Sequence, residues 1–328
     1  MIGRSKSIWR QLMRSEEQKI ERMITVARMY YEQDMNQSQI AKELGISRPL
    51  VSVLLTEAKA CGIVKVTIND ISVSREKIAK YLKEHFLLNH VLLVPDGKND
   101  GETNLAVASE AFFYCFAKKN ADKNVGIGWG SMMGYMADLA ETMDDEKRNK
   151  GCIFPLTGGI SSVIRGYHTN EVVRIFALKT GKTADFLYVP ALFDTNAELE
   201  MVRKTEPYAM IQKKWEHMDQ AVVSISNYPS YPDMGVKTIY GDRLMKEHAV
   251  GRVLAYYFDR TGRVISPNED CVSQVSIGQL RKAQVTAVCS SQVKAAAVAG
   301  ALRLGLIDTL ILPLSVARKV TEAGELKN

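Results

Sequence analysis

The chain has 328 residues, 46% of them hydrophobic, with 43 Lys/Arg against 37 Asp/Glu for a net charge of +6. That is ample apolar material for packed cores, so a disordered chain is excluded, and the length suits two domains. No apolar run reaches the length of a membrane span, the N-terminus lacks a signal-peptide h-region, and the five cysteines form neither a CxxC pair nor a metal-like spacing with the histidines. Cys61, Cys115, Cys152, Cys271 and Cys289 are therefore expected to be reduced core thiols of a cytoplasmic protein, with no metal and no cofactor.

The positive charge is uneven. Residues 1–70 hold 11 Lys/Arg against 8 Asp/Glu, and residues 71–328 hold 32 against 29. Arg4, Lys6, Arg10 and Arg14 precede any acid and read either as an arm lying on phosphates or as a disordered tail. Ile20, Met23, Ile24, Ala27 and Tyr30/Tyr31 then share a helical spacing that predicts one buried face. Residues Gln37–Ala60 read as two short helices: Gly45 closes the first, Ser47 caps the second and Pro49 is tolerated in its first turn. Val51, Leu54, Leu55 and Ala58 make the inner face of the second helix, leaving Arg48, Ser52, Thr56 and Lys59 outward. A helix-turn-helix of this kind fits the DNA major groove, where Arg can pair bidentately with guanine and Ser can meet a base or a phosphate. The candidate DNA-facing set is Gln37, Ser38, Ser47, Arg48, Pro49 and Ser52, with helix capping the competing role for Gln37 and Ser38. Val64, Val66 and Ile68 alternate with Lys65 and Thr67, predicting a strand that would make the motif winged, with Lys65 either a phosphate contact or a solvated strand lysine.

Beyond residue 70 the pattern changes to strands separated by helices, which argues for a parallel sheet covered on both faces. Ser74 is expected to cap a helix through Lys83/Glu84. Strands are predicted at Val91–Pro95, Asn124–Trp129, Gly151–Leu156, Asp185–Pro190, Asp219–Ser224, Val285–Cys289 and Leu306–Pro313. Helices are predicted at Asn104–Lys119, Met132–Met143, Thr169–Lys179 (capped by Thr169, closed by Gly181), Gln292–Leu304 and Ser315–Ala323. The expected fold is thus α/β: residues 1–70 a winged helix-turn-helix DNA-binding domain, residues 71–328 a larger Rossmann-like effector-binding and oligomerisation domain.

In open parallel sheets ligands sit beyond the carboxyl ends of the strands. Gly126-Ile-Gly-Trp-Gly-Ser131 runs from a strand end into a helix, where backbone N–H groups and the helix dipole favour an anion; simple turn chemistry is the competing role. It matches neither the dinucleotide nor the Walker spacing. Leu156-Thr-Gly-Gly-Ile-Ser-Ser162 is a second such loop, Asp259 follows Tyr256-Tyr-Phe258, and Lys294 stands at a strand-to-helix junction. A carboxylate for hydroxyls, with a lysine and amide groups for a phosphate, suits a phosphorylated sugar; singly, Asp259 fits a turn residue and Lys294 a solvated first-turn lysine.

Six segments together resemble the SorC/DeoR-type sugar-responsive bacterial transcription regulators over nearly the whole chain: Ala27–Glu32, Gln37–Ala60, Gly126–Ser131, Leu156–Gly159, His248–Gly251 with Tyr257–Asp259, and Lys294–Leu304. Tyr167–Asn170 and Ala191–Asp194 look most like the sorbose/sugar-alcohol branch. The resemblance implies an effector domain similar to the phosphosugar isomerase/deaminase fold, a homodimer or homotetramer, and an effector touched by Asp259 and Lys294. It also maps the ligand loops onto Gly128, Trp129, Gly130 and Ser131 and onto Gly158, Gly159, Ser161 and Ser162, with Asn170 nearby. The chain departs from the family pattern at Ser290-Ser291, where Gly-Gly is usual, at Leu312-Pro313-Leu314, and at Thr157, where some members carry a Schiff-base lysine. Covalent capture of an aldehyde is therefore not expected. The implied partners are double-stranded operator DNA and a small carbohydrate or its phosphate, with no membrane. An isomerase or deaminase would need a positioned acid/base pair, and His168, His248, Asp259 and Glu269 form no such spacing. An architectural DNA-binding protein with an inert second domain is the third reading. The protein is expected to be a non-enzymatic regulator of a carbohydrate operon.

Overall fold

The computed structural model describes residues 18–64, 71–116, 120, 122–144, 149–160, 166, 168–230 and 239–325. The chain divides into two compact units, Met1–Asp70 and Ile71–Asn328.

In the first unit, helix α1 spans residues 18–31, followed by α2 (Gln37–Leu44) and α3 (Arg48–Ala60). Asn36 starts α2 with a capping box: its side chain accepts from Ser38 and Gln39 N–H, and the Gln39 side chain accepts from Asn36 N–H. Gly45 ends α2 in the left-handed region at φ 62°, where a side chain is strained, so glycine suits the turn. Ser47 Oγ accepts from Leu50 N–H at 3.3 Å and caps α3. Val51, Leu54, Leu55 and Ala58 pack with Met23, Val26, Met29 and Ile40 into a small core. The buried stripe of α1 is therefore Met23, Val26, Ala27 and Met29, a face rotated from the expected one. Ile20 and Ile24 stay 46% and 37% exposed, because α1 turns its Met23/Val26 side towards α2 and α3. Of the expected strand, residues 65–68, Lys65 among them, lie outside the described residues, as does the basic arm.

The second unit is a sheet of ten strands among the described residues. It contains α4 (Ile71–Phe86), β1 (His90–Val94), α5 (Asp100–Phe116), β2 (Val125–Ile127), α6 (Ser131–Glu141), β3 (Cys152–Pro155), α7 (Thr169–Thr180) and β4 (Thr183–Ala184). There follow α8 (Asn196–Arg203), α9 (Glu206–Glu216), β5 (Gln220–Asn227), β6 (Gly251–Val253), β7 (Tyr256–Phe258) and β8 (Val264–Ile265). The unit ends with β9 (Gln284–Cys289), α10 (Ala295–Arg303), β10 (Thr309–Pro313) and α11 (Leu314–Glu325). The parallel order is β1-β10-β9-β5-β2-β3-β4, while β6, β7 and β8 form an antiparallel extension from β5.

The central strands are buried on both faces, and their alternate residues feed two cores. Val285, Ala287 and Cys289, with Leu310 and Leu312, join α4, α10 and α11 on one side. Val222, Val288 and Ile311 join α5, α6 and α7 on the other.

Several expectations are corrected. Helix α4 begins at Ile71, so Ser74 lies inside it and is not its cap. Residues 185–190 are no strand: the Asn170 amide grips Leu187 N–H and C=O, and Asp185 accepts from Cys152 Sγ at 2.9 Å, which diverts the chain from the sheet after Ala184. His168, not Thr169, occupies the N-cap position of α7. Cys61 is exposed at the end of α3, whereas the other four thiols are buried.

Candidate functional site

On the outward side of α3, Arg48, Pro49, Ser52, Thr56 and Lys59 are all exposed. Thr56 gives its hydroxyl proton to Ser52 C=O at 3.0 Å, and Lys59 leans over the Tyr31 ring at 5.9 Å. Both are thereby partly engaged within the unit. Asn36 does the capping of α2, which leaves the exposed Ser38 and the half-buried Gln37 without that duty. Leu50 and Val53, 39% and 50% exposed, share the outward face. Sequence reading passed over them because they fall one position off the buried stripe, which was itself the available signal.

In the second unit the connections leaving β2 run towards β3 and β4, and those leaving β5 run towards β9 and β10. The strand order thus reverses between β2 and β5, the place where an open α/β sheet forms a crevice at its carboxyl edge. Gly128 N–H still bonds Val222 C=O at 2.8 Å, after which the chain leaves the sheet and β6 takes over the edge of β5. A Cβ at Gly128 would stand 3.2 Å from Val222 O, so glycine there serves this close approach. Trp129 turns into the core, 2% exposed, with the buried Arg252 guanidinium 5.9 Å from its ring centroid. Gly130 N–H bonds Gly166 C=O, and Gly130 begins α6 without a side-chain cap.

At that helix start, the N–H groups of Ser131, Met132 and Met133 meet no acceptor among the described residues. Facing them is Ser224, 6% exposed, whose hydroxyl has no partner among the described residues and would lie 3.1 Å from a Cβ on Gly130. Two residues beyond Ile225, Asn227 closes the same edge: its Oδ1 accepts from Lys294 N–H at 2.8 Å and its Nδ2 donates to Gln292 C=O at 3.1 Å. Lys294 is an exposed N-cap of α10 with no side-chain capping bond. The structure therefore brings Gly128, Gly130, Ser131, Ser224, Asn227 and Lys294 to one edge of the sheet.

Other expected residues have different duties. Gly158 N–H bonds Ser273 C=O and Gly159 N–H bonds Val189 C=O, so neither amide is free to form an anion nest. Asn170 holds the 187 loop through both ends of its amide, beside a groove of about 500 Å³ between Gly159, His168, Arg174 and Tyr188. Asp259 Oδ1 accepts from Thr261 N–H, Thr261 Oγ and Arg263 N–H, and Oδ2 accepts from Arg263 Nε at 3.1 Å. Burial pushes this carboxyl up, but the Thr261 hydroxyl, the two N–H groups and the Arg263 guanidinium outweigh it and hold the group below the usual carboxylate range. The Asp259 backbone rests on Gly300, six residues and about 9 Å of helix axis from Lys294. Ser161 and Ser162 lie outside the described residues. Thr157 gives its hydroxyl to Ser273 C=O at 2.9 Å. At the departure from Gly-Gly, Ser291 is tied to α5: its N–H bonds Asn104 Oδ1 and its hydroxyl bonds Asp100 Oδ1, both at 2.8 Å. No group of three or more His, Cys, Asp or Glu able to hold a metal occurs among the described residues.

The Sugar-bind family model, described as "Putative sugar-binding domain", matches residues 73–322. The sorbitol operon regulator of Klebsiella pneumoniae is 25% identical over 298 residues, covering 88% of this chain and 94% of that one. The chain belongs to the SorC/DeoR family of sugar-binding transcriptional regulators. The full-length structure of the same K. pneumoniae regulator, SorC, superposes with a TM-score of 0.67 over 91% of this chain and 97% of that one. The deoxyribonucleoside regulator of Bacillus subtilis (strain 168) is 28% identical over 305 residues, covering 90% and 95% of the two chains. This SorC/DeoR member is a DNA-binding transcriptional regulator of carbohydrate metabolism under the control of a sugar or phosphosugar. No helix among its described residues is long and apolar enough to cross a membrane.

Proposed function

We propose that α3 reads the operator and that the crevice between β2 and β5 receives the effector. Arg48 and Ser52 face outward from the first two turns of α3, where side chains of a recognition helix meet base edges. Leu50 and Val53 add apolar surface suited to thymine methyl groups. Gln37, Ser38 and the α3 cap at Ser47–Pro49 line up as phosphate contacts, and Lys65 extends the set in the sequence. In a homodimer or homotetramer, paired recognition helices would stand about 34–36 Å apart on one face of the duplex.

The observation that carries the effector reading is the start of α6 at the strand-order reversal, which has no side-chain cap among the described residues and faces the Ser224 hydroxyl, likewise without a partner among them. Three N–H groups without an acceptor among the described residues, together with the helix dipole, suit a phosphate or another electron-rich oxygen. Lys294 adds an exposed positive charge, and Asp259 Oδ2, with one ion pair to Arg263, keeps a lone pair for a sugar hydroxyl. Gly158, Gly159 and Asn170 would then shape the far wall of the site, with Ser161 and Ser162 following in the sequence. The effector unit is read as a non-catalytic relative of the phosphosugar isomerase/deaminase fold. A ligand shifts the assembly only by its differential affinity for two arrangements, so binding between sheet and helices must favour one of them.

The test is a thermal-shift panel of sugars, sugar alcohols and their phosphates, followed by operator binding with and without each hit. Lys294→Ala should abolish the ligand response while leaving operator affinity in the absence of ligand unchanged; a variant that responds at unchanged ligand concentration places the pocket elsewhere. Arg48→Ala should weaken specific operator binding by about 1–3 kcal/mol, and an equal loss on all sequences would mark a phosphate contact instead.

A further inference from the structure

A second polar cavity lies at the opposite, amino edge of the same sheet. It encloses about 320 Å³ beneath the first residues of β1, β10, β9 and β5. Along β5 it is about 23 Å from the Asn227 end, at the usual rise per strand residue.

Its floor is made of side chains that a packed sheet interior would ordinarily replace with aliphatic ones. Gln220, Thr286 and Thr309 are 3%, 2% and 4% exposed, and Asn120 is 5% exposed. The three strand residues belong to the face that carries Val222, Val288 and Ile311 farther up, so the α5-facing side of the sheet turns polar only at this end. Burying such groups is unfavourable unless hydrogen bonds replace water. Here replacement is partial. Gln220 Nε2 donates to Thr286 Oγ at 3.3 Å, but Gln220 Oε1 is buried with no partner among the described residues. Tyr114 OH and Thr309 Oγ are 3.1 Å apart, and either hydroxyl can donate to the other. At the rim, Lys123 Nζ donates to Gln284 Oε1 at 2.9 Å, leaving two of its protons.

The chemistry narrows the ligand class. Apolar molecules would leave the buried amide and hydroxyl groups without partners. An anion would meet one lysine already leaning on Gln284, the His90 imidazole and, across the rim, the repelling Asp308 carboxylate. A cation would meet that single carboxylate, which already accepts Val285 N–H at 2.8 Å. Hydroxyl groups, which both donate and accept, match a wall that alternates amide, hydroxyl, phenol and ammonium groups. The volume lies at the small end of ligand pockets, about 300–1,000 Å³.

We propose that this cavity binds a small neutral polyhydroxylated molecule, of pentose to hexitol size, at a site separate from the effector crevice, with Gln220 Oε1 accepting one of its hydroxyls. The site rests on its own geometry and stands whether or not the crevice at β2 and β5 is the effector site.

The test is equilibrium dialysis of the full-length protein against radiolabelled ribose, glucose and sorbitol, each at rising millimolar concentration. At least one probe should bind saturably at a site that survives Lys294→Ala. Gln220→Leu should weaken that binding about tenfold, the loss expected for one buried hydrogen bond. Gln284→Trp, at an exposed rim position where folding is not at stake, should block the mouth and abolish it. A high-resolution crystal structure grown with the bound probe should show it against Gln220 and Thr286. The proposal is overturned if none of the three probes binds saturably, if binding ignores both Gln220→Leu and Gln284→Trp, or if the cavity holds ordered water alone with the probe present.

Discussion

At the scale of single residues, glycines of the Gly158–Gly159 pair differ in what they tolerate. A Cβ on Gly158 would stand 2.4 Å from Pro190 O, a backbone atom that cannot swing aside, whereas nothing lies within 4 Å of one on Gly159. Gly158→Ala should therefore destabilise the protein by about 1–3 kcal/mol, as overpacking does. Gly159→Ala should stay within about 0.5 kcal/mol of the parent in urea unfolding, the range of ordinary surface changes. Equal effects would contradict the backbone crossing. Thiols offer a second residue-scale check. Burial pushes Cys115 up to about 12 and Cys152 up to about 11, while Cys61 is exposed. A disulfide reagent at neutral pH should modify one thiol per folded chain quickly and the remaining four only on unfolding. At this scale the sequence carried the caps at Gly45 and Ser47, which obey local rules, but misplaced those at Ser74 and Thr169. It could not show that the Gly158 and Gly159 amides are consumed by Ser273 and Val189, because those partners are set by chain crossings far away in sequence.

At the scale of elements, the turn between β7 and β8 depends on one carboxylate. Asp259 accepts four hydrogen bonds across residues 259–263, and its folded pKa lies below the ordinary value. A lowered folded pKa means the carboxylate's contribution is complete above the unfolded group's value near ~3.9 and is lost as pH falls through the folded value. Asp259→Asn should reduce the fall in melting temperature on acidification below about pH 4, and should cost about 1–2 kcal/mol at neutral pH through the weaker acceptor. Identical acid limbs for parent and variant would show that the turn is held by other groups. The parallel strands and their crossover helices were legible because long apolar runs alternate with helical stripes. Helices α8 and α9 were not, although Thr195 caps the first and Pro207 sits in the first turn of the second, because their 8 and 11 residues are too short to sustain a clear apolar stripe. The short β6–β8 extension gave no period long enough to read.

At the scale of the whole molecule, regulation requires that the ligand site and the DNA-reading face share free energy. If saturating effector changes operator affinity by some factor, operator must change effector affinity by the same factor, because both describe one thermodynamic cycle. Couplings of this kind usually amount to about 1–3 kcal/mol, or roughly 5–150-fold. The panel hit with the largest thermal shift should be titrated into the protein alone and into the protein saturated with operator duplex, and the operator titrated with and without that ligand. The two ratios should agree within error and differ from one. Lys294→Ala should bring the ligand's effect on operator binding to one without altering binding to the bare operator, since Lys294 lies in the unit spanning Ile71–Asn328 and Arg48 in the unit spanning Met1–Asp70. Arg48→Ala should do the reverse: operator affinity falls while the effector's affinity for free protein stays unchanged. If the ratio is one for the parent protein, the ligand binds without governing DNA recognition, and the crevice between β2 and β5 is not where this regulator is controlled.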